Sequence, residues 1–225
     1  MMRQVTAFFL VLTLVHVVPV EGRCSGRAVY RVSFHNLLTP ENFGKLIPQR
    51  GLVFSPLVGA SHSHRISFLT VRGFASRQVE QIAETGDNSR FVTMARNLRS
   101  QRHGVLHVAA ANGPTLPGKY TTLFYPVDCA HPFITMLGMI APSPDWIVQI
   151  NNRNMLRDGK FVARDFGTLI AYDAGTDDGR EFTIPADASV DKPSEPQKNI
   201  APLVEDETDR FQGRIVGRFL IQRIR

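Results

Sequence analysis

Hydrophobic and polar residues alternate in several short segments of the chain. Polar Arg31 and Ser33, for example, separate hydrophobic Tyr30, Val32 and Phe34. A period of two is typical of a strand with one buried face. The pattern predicts strands at 28–34, 65–71, 104–109, 120–125, 133–140, 146–150, 166–172 and 214–224. Turns rich in Gly, Pro and Asn separate these strands, so we expect an all-β fold, an antiparallel β-sandwich of about eight strands.

Two segments repeat their hydrophobic residues with helical spacing instead. Val79 and Ile82 fall on one face of 76–84, and 90–102 shows a similar apolar stripe. Both are predicted to be short helices within connections. The segment 186–208 is rich in Pro, Asp, Glu and Lys, and it is predicted to be a long polar surface loop or a mobile excursion before the last strand.

The first 22 residues predict export from the cell. A basic start at Arg3 is followed by an apolar stretch, then by small or short residues at Val20 and Gly22, as in a secretory signal peptide. The alternative is a buried N-terminal element. Cleavage removes one Arg and one Glu, so the net charge stays at +6, and residues 23–225 suffice for a single domain with a core. We expect a secreted chain without a transmembrane segment.

The chain contains two cysteines, Cys24 and Cys129. In an oxidising compartment they form one disulfide, remain as two free thiols, or pair between chains. The single bridge is the favoured prediction because unpaired thiols are a liability outside the cell.

Two loops rich in turn-forming residues carry the most compact candidate chemistry. Asp145 lies in the run Ala-Pro-Ser-Pro-Asp-Trp, and Asp173, Asp177 and Asp178 lie in Tyr-Asp-Ala-Gly-Thr-Asp-Asp-Gly. If the loops meet, their carboxylates offer an all-oxygen site that suits Ca²⁺, with Mg²⁺ or Mn²⁺ as alternatives to it. The simpler interpretation is that these aspartates cap turns and face water.

A basic strip lies along the second predicted helix. Arg96, Arg99 and Arg102 recur at intervals of three, so they are expected to share a face that attracts heparan sulfate, anionic lipid or lipopolysaccharide. The same pattern also describes the solvated side of an amphipathic helix.

Several motifs resemble the spondin domain, the N-terminal module of F-spondin and mindin. They extend over nearly all of the chain after the signal peptide, and the chain is expected to be a stand-alone, diverged member of this family. The motifs are Cys-Ser-Gly-Arg-Ala-Val-Tyr-Arg-Val-Ser-Phe from Cys24, Phe-Ser-Pro-Leu-Val-Gly-Ala-Ser-His from Phe54, Ala-Glu-Thr-Gly from Ala83, His-Pro-Phe from His131, and the two acidic runs.

The resemblance implies a sandwich similar to C2 domains, in a secreted matrix or adhesion protein. Carried over residue by residue, the metal ligands of the family correspond to Asp145, Asp173 and Asp177, and Asp128 is a further candidate. The chain departs from the family pattern in its second cysteine, which stands at Cys129 and not within 151–160. The chain also departs from the family pattern at Gln149, where a glycine is usual, and at Phe161, where a tryptophan is common.

Three functional hypotheses follow. The first is a non-enzymatic adhesion or recognition module that binds Ca²⁺ in its acidic loops and a cell-surface, matrix or microbial ligand, whether protein or glycan. The second is a polyanion binder that uses the basic strip, with a purely structural ion. The third is a calcium-dependent hydrolase with two loop carboxylates as an acid–base pair. No nucleophile elbow, zinc-protease motif or phosphate loop is present, so an enzyme is not expected. Nucleic acid is not an expected partner of an exported chain.

Overall fold

Two antiparallel sheets pack face to face in the computed structural model, which describes residues 24–184, 191–206 and 209–225. The predicted signal peptide lies outside the described residues. The strands are β1 (Arg27–Asn36), β2 (Val53–Phe54), β3 (Val58–His62), β4 (Val105–Ala110), β5 (Tyr120–Asp128), β6 (Phe133–Ala141), β7 (Trp146–Asn154), β8 (Leu156–Arg157), β9 (Lys160–Phe161), β10 (Arg164–Leu169), β11 (Tyr172–Asp173), β12 (Ala201–Pro202) and β13 (Gly217–Arg223). The helices are α1 (Pro40–Phe43), α2 (Arg77–Thr85) and α3 (Ser89–Ser100), with 3₁₀ turns at Gly44–Leu46 and Leu203–Glu205.

The smaller sheet has the strand order β10-β13-β1-β5, and the larger has the order β12-β11-β7-β6-β3-β4, with β2 beside β6. Inward-facing side chains of both sheets form one buried core, including Tyr30, Phe34, Tyr125, Ile140, Trp146, Val148 and Ile221. The all-β sandwich is therefore confirmed. Within the described residues, eight strands have five or more residues, as the alternating pattern led us to expect.

A second layer covers the outer face of the larger sheet. Val79 and Ile82 of α2 and Phe91 of α3 are buried against Val58 and Leu137 of the sheet. Helix α2 begins at a hydroxyl cap, where the amide of Val79 donates to Ser76 Oγ at 3.4 Å. The larger sheet is thus buried on both faces, whereas the smaller sheet has one face in solvent.

Burial on both faces explains one error of the sequence pattern. All five residues of β3 are buried, so this central strand has no alternation and the sequence pattern does not predict it. The predicted strand at 65–71 is wrong, because this segment is irregular. Its apolar residues Phe68 and Leu69 are consecutive and are both buried, with the ring of Phe68 at 4.9 Å from that of Phe91. The segment therefore lies under α3 as a loop.

The predicted helix at 90–102 ends at Ser100, since Arg102 adopts a left-handed conformation with φ of 58°. The predicted disulfide is confirmed: Cys24 and Cys129 are bonded, with Cα atoms 5.8 Å apart. The bond joins the segment just before β1 to the residue that follows β5.

The predicted polar loop 186–208 is only partly a surface loop. In its described part, β12 pairs with β11, and Ile200 and Leu203 are fully buried. This part therefore belongs to the larger sheet and lies beside the acidic loops. Among the described residues, no helix is long and apolar enough to cross a membrane.

Candidate metal centre

The pairing of β7 with β11 brings the two acidic runs together. Asp173 lies opposite Trp146 in this antiparallel pair, and the amide of Ala174 donates to the carbonyl of Asp145 at 3.2 Å. The aspartates at 145 and 173, 28 residues apart in sequence, therefore meet at one end of the larger sheet. The sequence left this meeting as a condition of the site, and the strand register brings the two runs together.

Anchoring of the first acidic run draws Asp145 into the protein. Trp146 is fully buried, with its ring centroid 5.6 Å from those of Phe182 and Phe211. The amide of Trp146 donates to the buried hydroxyl of Ser143 at 3.1 Å, which closes the turn. As a result the side chain of Asp145 has 0% exposure.

The two oxygens of Asp145 have different surroundings. Oδ2 accepts from the amides of Thr176 at 2.8 Å and Asp177 at 3.1 Å, and from the hydroxyl of Thr176 at 3.3 Å. Oδ1 is buried and has no hydrogen-bond partner among the described residues. Burial, together with the neighbouring carboxylate of Asp173, raises the pKa of Asp145 to about 8. This carboxylate is therefore costly to ionise without a cation beside it.

Asp173 occupies a tight turn. Its Oδ1 accepts from the amide of Gly175 at 2.7 Å. Gly175 has φ of 73°, and a Cβ there would overlap the backbone carbonyl of Lys198, so the turn requires glycine. Burial raises the pKa of Asp173 to about 6, and the carboxylates of Asp206 and Asp178 also raise it, against the lowering by the Gly175 amide and Lys198.

Asp177 and Asp178 point into different environments. Asp177 is buried, its carboxylate accepts from the amides of Gly179 at 2.6 Å and Lys192 at 2.7 Å, and burial raises its pKa. Asp178 is paired with Lys198 Nζ at 2.6 Å and accepts from Ser194 Oγ at 2.9 Å, contacts that lower its pKa. The backbone of Asp177 therefore binds Asp145, while the carboxylates of Asp177 and Asp178 both contact the 191–206 segment.

Glu84 is a further acidic neighbour that sequence reasoning did not assign. It lies in the last turn of α2, where burial raises its pKa, the hydroxyl of Thr176 lowers it, and the charge of Asp177 raises it. The signal was present in the motif Ala-Glu-Thr-Gly, but the pattern of the motif does not show that α2 ends beside the second acidic run.

Asp128 does not join this group. It ends β5 and precedes β6, whereas Asp145 follows β6, and the nine residues of β6 separate the two ends by about 26 Å at the usual rise of a strand. Its carboxylate accepts from the amides of Ala130 at 3.0 Å and His131 at 2.8 Å. Asp128 therefore closes the turn beside the disulfide.

The basic strip lies on the exposed side of α3 and just beyond it. Arg96 and Arg99 are exposed on the helix, and Arg102 is exposed in the turn that follows. The end of the helix at Ser100 means that the three arginines do not form one continuous helical face.

The acidic loops have the ligand chemistry for a cation but not a converged set of ligands. Across the described ranges, no three His, Cys, Asp or Glu side chains converge as a ready-made metal site. The buried Oδ1 of Asp145 nevertheless has no partner among the described residues, and a hard cation would satisfy it once the carboxyl group ionises; the neighbouring carboxylates supply only oxygen ligands. The residues present are thus compatible with Ca²⁺ and unsuited to zinc.

Comparison with known proteins agrees with the motifs. A family model described as Spondin_N matches residues 28–212. The chain is 31% identical to Spondin-1 of Gallus gallus over 185 residues, 79% of this chain and 22% of that protein. It is 31% identical to Spondin-1 of Homo sapiens over 193 residues, 82% of this chain and 23% of that protein.

Spondin-2 of Homo sapiens is 27% identical over 177 residues, which cover 76% of this chain and 53% of that protein. The chain thus spans about a quarter of the length of Spondin-1 and about half of that of Spondin-2. Since the family model matches most of the sequence, the chain belongs to the Spondin_N family, that of the spondin N-terminal domain.

Proposed function

We propose that this chain is a secreted recognition module of the matrix or adhesion type, whose acidic loops bind Ca²⁺ through Asp145, Asp173 and Asp177. The observation that carries the proposal is the fully buried carboxylate of Asp145, with one oxygen unpartnered among the described residues and Asp173 beside it. A divalent cation would give that oxygen a partner and offset the repulsion between the carboxylates.

The ion would act on the geometry of the loops. Asp145 follows β6, whereas Asp173 and Asp177 belong to the run that starts in β11, and the amide of Lys192 holds Asp177. A cation shared by these carboxylates would lock three chain segments at one end of the sandwich. A rigid loop end of this kind is suited to present a binding surface to a cell-surface, matrix or microbial partner.

Family membership supports an extracellular role, because the relatives are spondins. The burial of Asp145 argues against the hydrolase hypothesis. A side chain with no exposure cannot reach a substrate as a general acid or base, although it can hold an ion. The second hypothesis assigns polyanion binding to the basic strip, and it competes with the site on the smaller sheet argued below: it predicts that substitution of Arg96 and Arg99 weakens heparin binding.

Thermal unfolding near pH 5 and near pH 8, with and without calcium, tests the calcium proposal. An ordinary aspartate has a pKa of 3.8, whereas folding raises that of Asp145 to about 8 and that of Asp173 to about 6. The calcium-free folded state therefore binds more protons than the unfolded state in this window, and these two groups make it less stable as the pH rises from about 5 to about 8. Calcium needs the ionised carboxylates, so it should stabilise the protein more at the higher pH.

For a dissociation constant on the order of 10⁻⁴ to 10⁻³ M, about 10 mM CaCl₂ should add about 1.4–2.7 kcal/mol near pH 8. This corresponds to a rise of about 3–10 °C in the midpoint temperature of unfolding. Equal concentrations of MgCl₂ control for ionic strength and selectivity. An equal calcium effect at both pH values, or none at either, would refute the proposed site.

A further inference from the structure

The outer face of the smaller sheet combines arginine with exposed aromatic rings. Strand register places three rows of side chains across β10, β13, β1 and β5 on the side away from the core. We name this surface the arginine–aromatic face, and define it by Arg31, Arg164, Arg218, Tyr120, Phe124 and Phe166. All six side chains are exposed.

Three large rings on this face are in solvent. Phe166 is 71% exposed, Tyr120 is 66% exposed and Phe124 is 50% exposed. The ring of His35 stacks on Tyr120 with centroids 4.0 Å apart, which holds one ring in a fixed orientation. Aromatic residues and arginine are enriched where proteins bind partners, so a face built of both indicates a binding surface.

The charge of the face has a single sign. Arg164 and Arg218 are exposed, and Arg31 donates to the neutral side chain of Gln222 at 2.8 Å. The outward-facing positions of β10 run from Arg164 to Thr168, and each is paired with a position on β13, β1 and β5. Among these described positions there is no Asp or Glu. The face therefore favours an anionic partner, and like charge opposes its pairing with a second copy of itself.

The nearest acidic residues have other partners. Asp165 faces the inner side of β10 and pairs with Arg153 at 2.8 Å. Asp128 lies four residues beyond Phe124 on β5, about 14 Å along the strand, and is held by His131. Neither carboxylate neutralises the three arginines.

The size of the face selects the class of partner. Four strands of about 4.8 Å spacing and five residues of about 3.4 Å rise give an area on the order of 300 Å². A stable protein partner would need about 800 Å² on this side. A patch of this size, with its arginines about 10–14 Å apart by the same spacings, suits a short stretch of a linear, charged polymer.

We propose that the arginine–aromatic face binds a sulfated polysaccharide. The planar guanidinium groups of Arg31, Arg164 and Arg218 would pair with sulfate oxygens, as they do with other planar or tetrahedral oxyanions. The exposed rings of Phe166 and Phe124 would lie against the apolar faces of the sugar rings. This surface is separate from the acidic loops, so it does not depend on the proposed calcium site.

Binding to immobilised heparin at about 0.15 M salt tests the proposal. We expect saturable binding that weakens with added salt and is unchanged by EDTA. The double substitution R164A/R218A should weaken it at least about tenfold, the loss expected for one or two charge-assisted contacts. The matched control R96A/R99A removes the same charge from α3 and should change the affinity less than about twofold.

Phe166→Ala tests the contribution of the aromatic ring while leaving the charge unchanged. Because the ring is exposed, we expect the variant to fold. We expect a loss of several-fold with an unchanged salt dependence. Hyaluronan, which carries carboxylates and no sulfate, should bind much more weakly than heparin. The proposal is overturned by absent heparin binding, by equal binding of hyaluronan, by unaltered binding in R164A/R218A, or by an equal loss in the α3 control.

Discussion

Replacing Asp145 by asparagine should invert the order of stability between variant and wild type when calcium is added. Without calcium, Asp145→Asn removes a buried charge beside Asp173, while the amide oxygen can keep the hydrogen bonds from Thr176 and Asp177. The calcium-free variant should therefore unfold at the same temperature as wild type or above it, near pH 8. With calcium it should unfold lower, because it lacks the wild-type gain of about 1.4–2.7 kcal/mol.

The control for this inversion is Asp178→Asn, the same chemical change in the same run. Asp178 is partly exposed and is paired with Lys198, so its loss should cost no more than about 1 kcal/mol. The calcium-dependent rise should survive in Asp178→Asn. A wild-type calcium response in Asp145→Asn would remove Asp145 from the site.

Removing the disulfide should cause the largest loss of stability while leaving the calcium response intact. Cys24 and Cys129 are 105 residues apart, and the entropy of closing a loop of about 100 residues corresponds to about 4.7 kcal/mol. The double substitution C24S/C129S should therefore lower the free energy of unfolding by about 4–5 kcal/mol, as measured by urea denaturation.

The calcium response should persist in C24S/C129S because the bridge and Asp145 lie at opposite ends of β6. The rise of the midpoint in calcium should match that of wild type wherever the variant is folded. A loss below about 1 kcal/mol would contradict the loop-entropy account. Loss of the calcium response in a folded variant would show that the two ends of the sandwich are coupled.

The predictability of the strands depended on their burial. In β1, Tyr30 and Val32 are buried and Arg31 is exposed, and this one-sided burial leaves a visible alternation. β3 is buried on both sides because helices cover the larger sheet, so its sequence carries no such mark. The apolar residues at 65–71 alternate only in part, and contact between Phe68 and Phe91 fixes them in a loop.

The candidate site shows a similar division. The sequence identified the acidic runs because turn-forming residues and carboxylates are adjacent in the chain. It could not show the full burial of Asp145, which depends on the packing of Trp146 against Phe182 and Phe211. Glu84 joins the group only through the position of α2, and Asp128 is excluded only by the direction of β6.

The arginine–aromatic face was invisible in the sequence for the same reason. Arg31, Phe124, Arg164 and Arg218 come from four strands that are far apart in the chain. Each residue alone is an ordinary outward-facing side chain. Only the register of the smaller sheet brings them into one surface without an intervening acid.

Calorimetric titration of CaCl₂ into the chelator-treated, secreted protein near pH 8 tests the calcium proposal most directly. The account predicts saturable binding with a dissociation constant on the order of 10⁻⁴ to 10⁻³ M, much weaker binding of Mg²⁺, and loss of binding in Asp145→Asn. Absence of saturable calcium binding in wild type, or equal affinity in Asp145→Asn, would contradict it. The acidic loops would then be turns stabilised by their own amide hydrogen bonds.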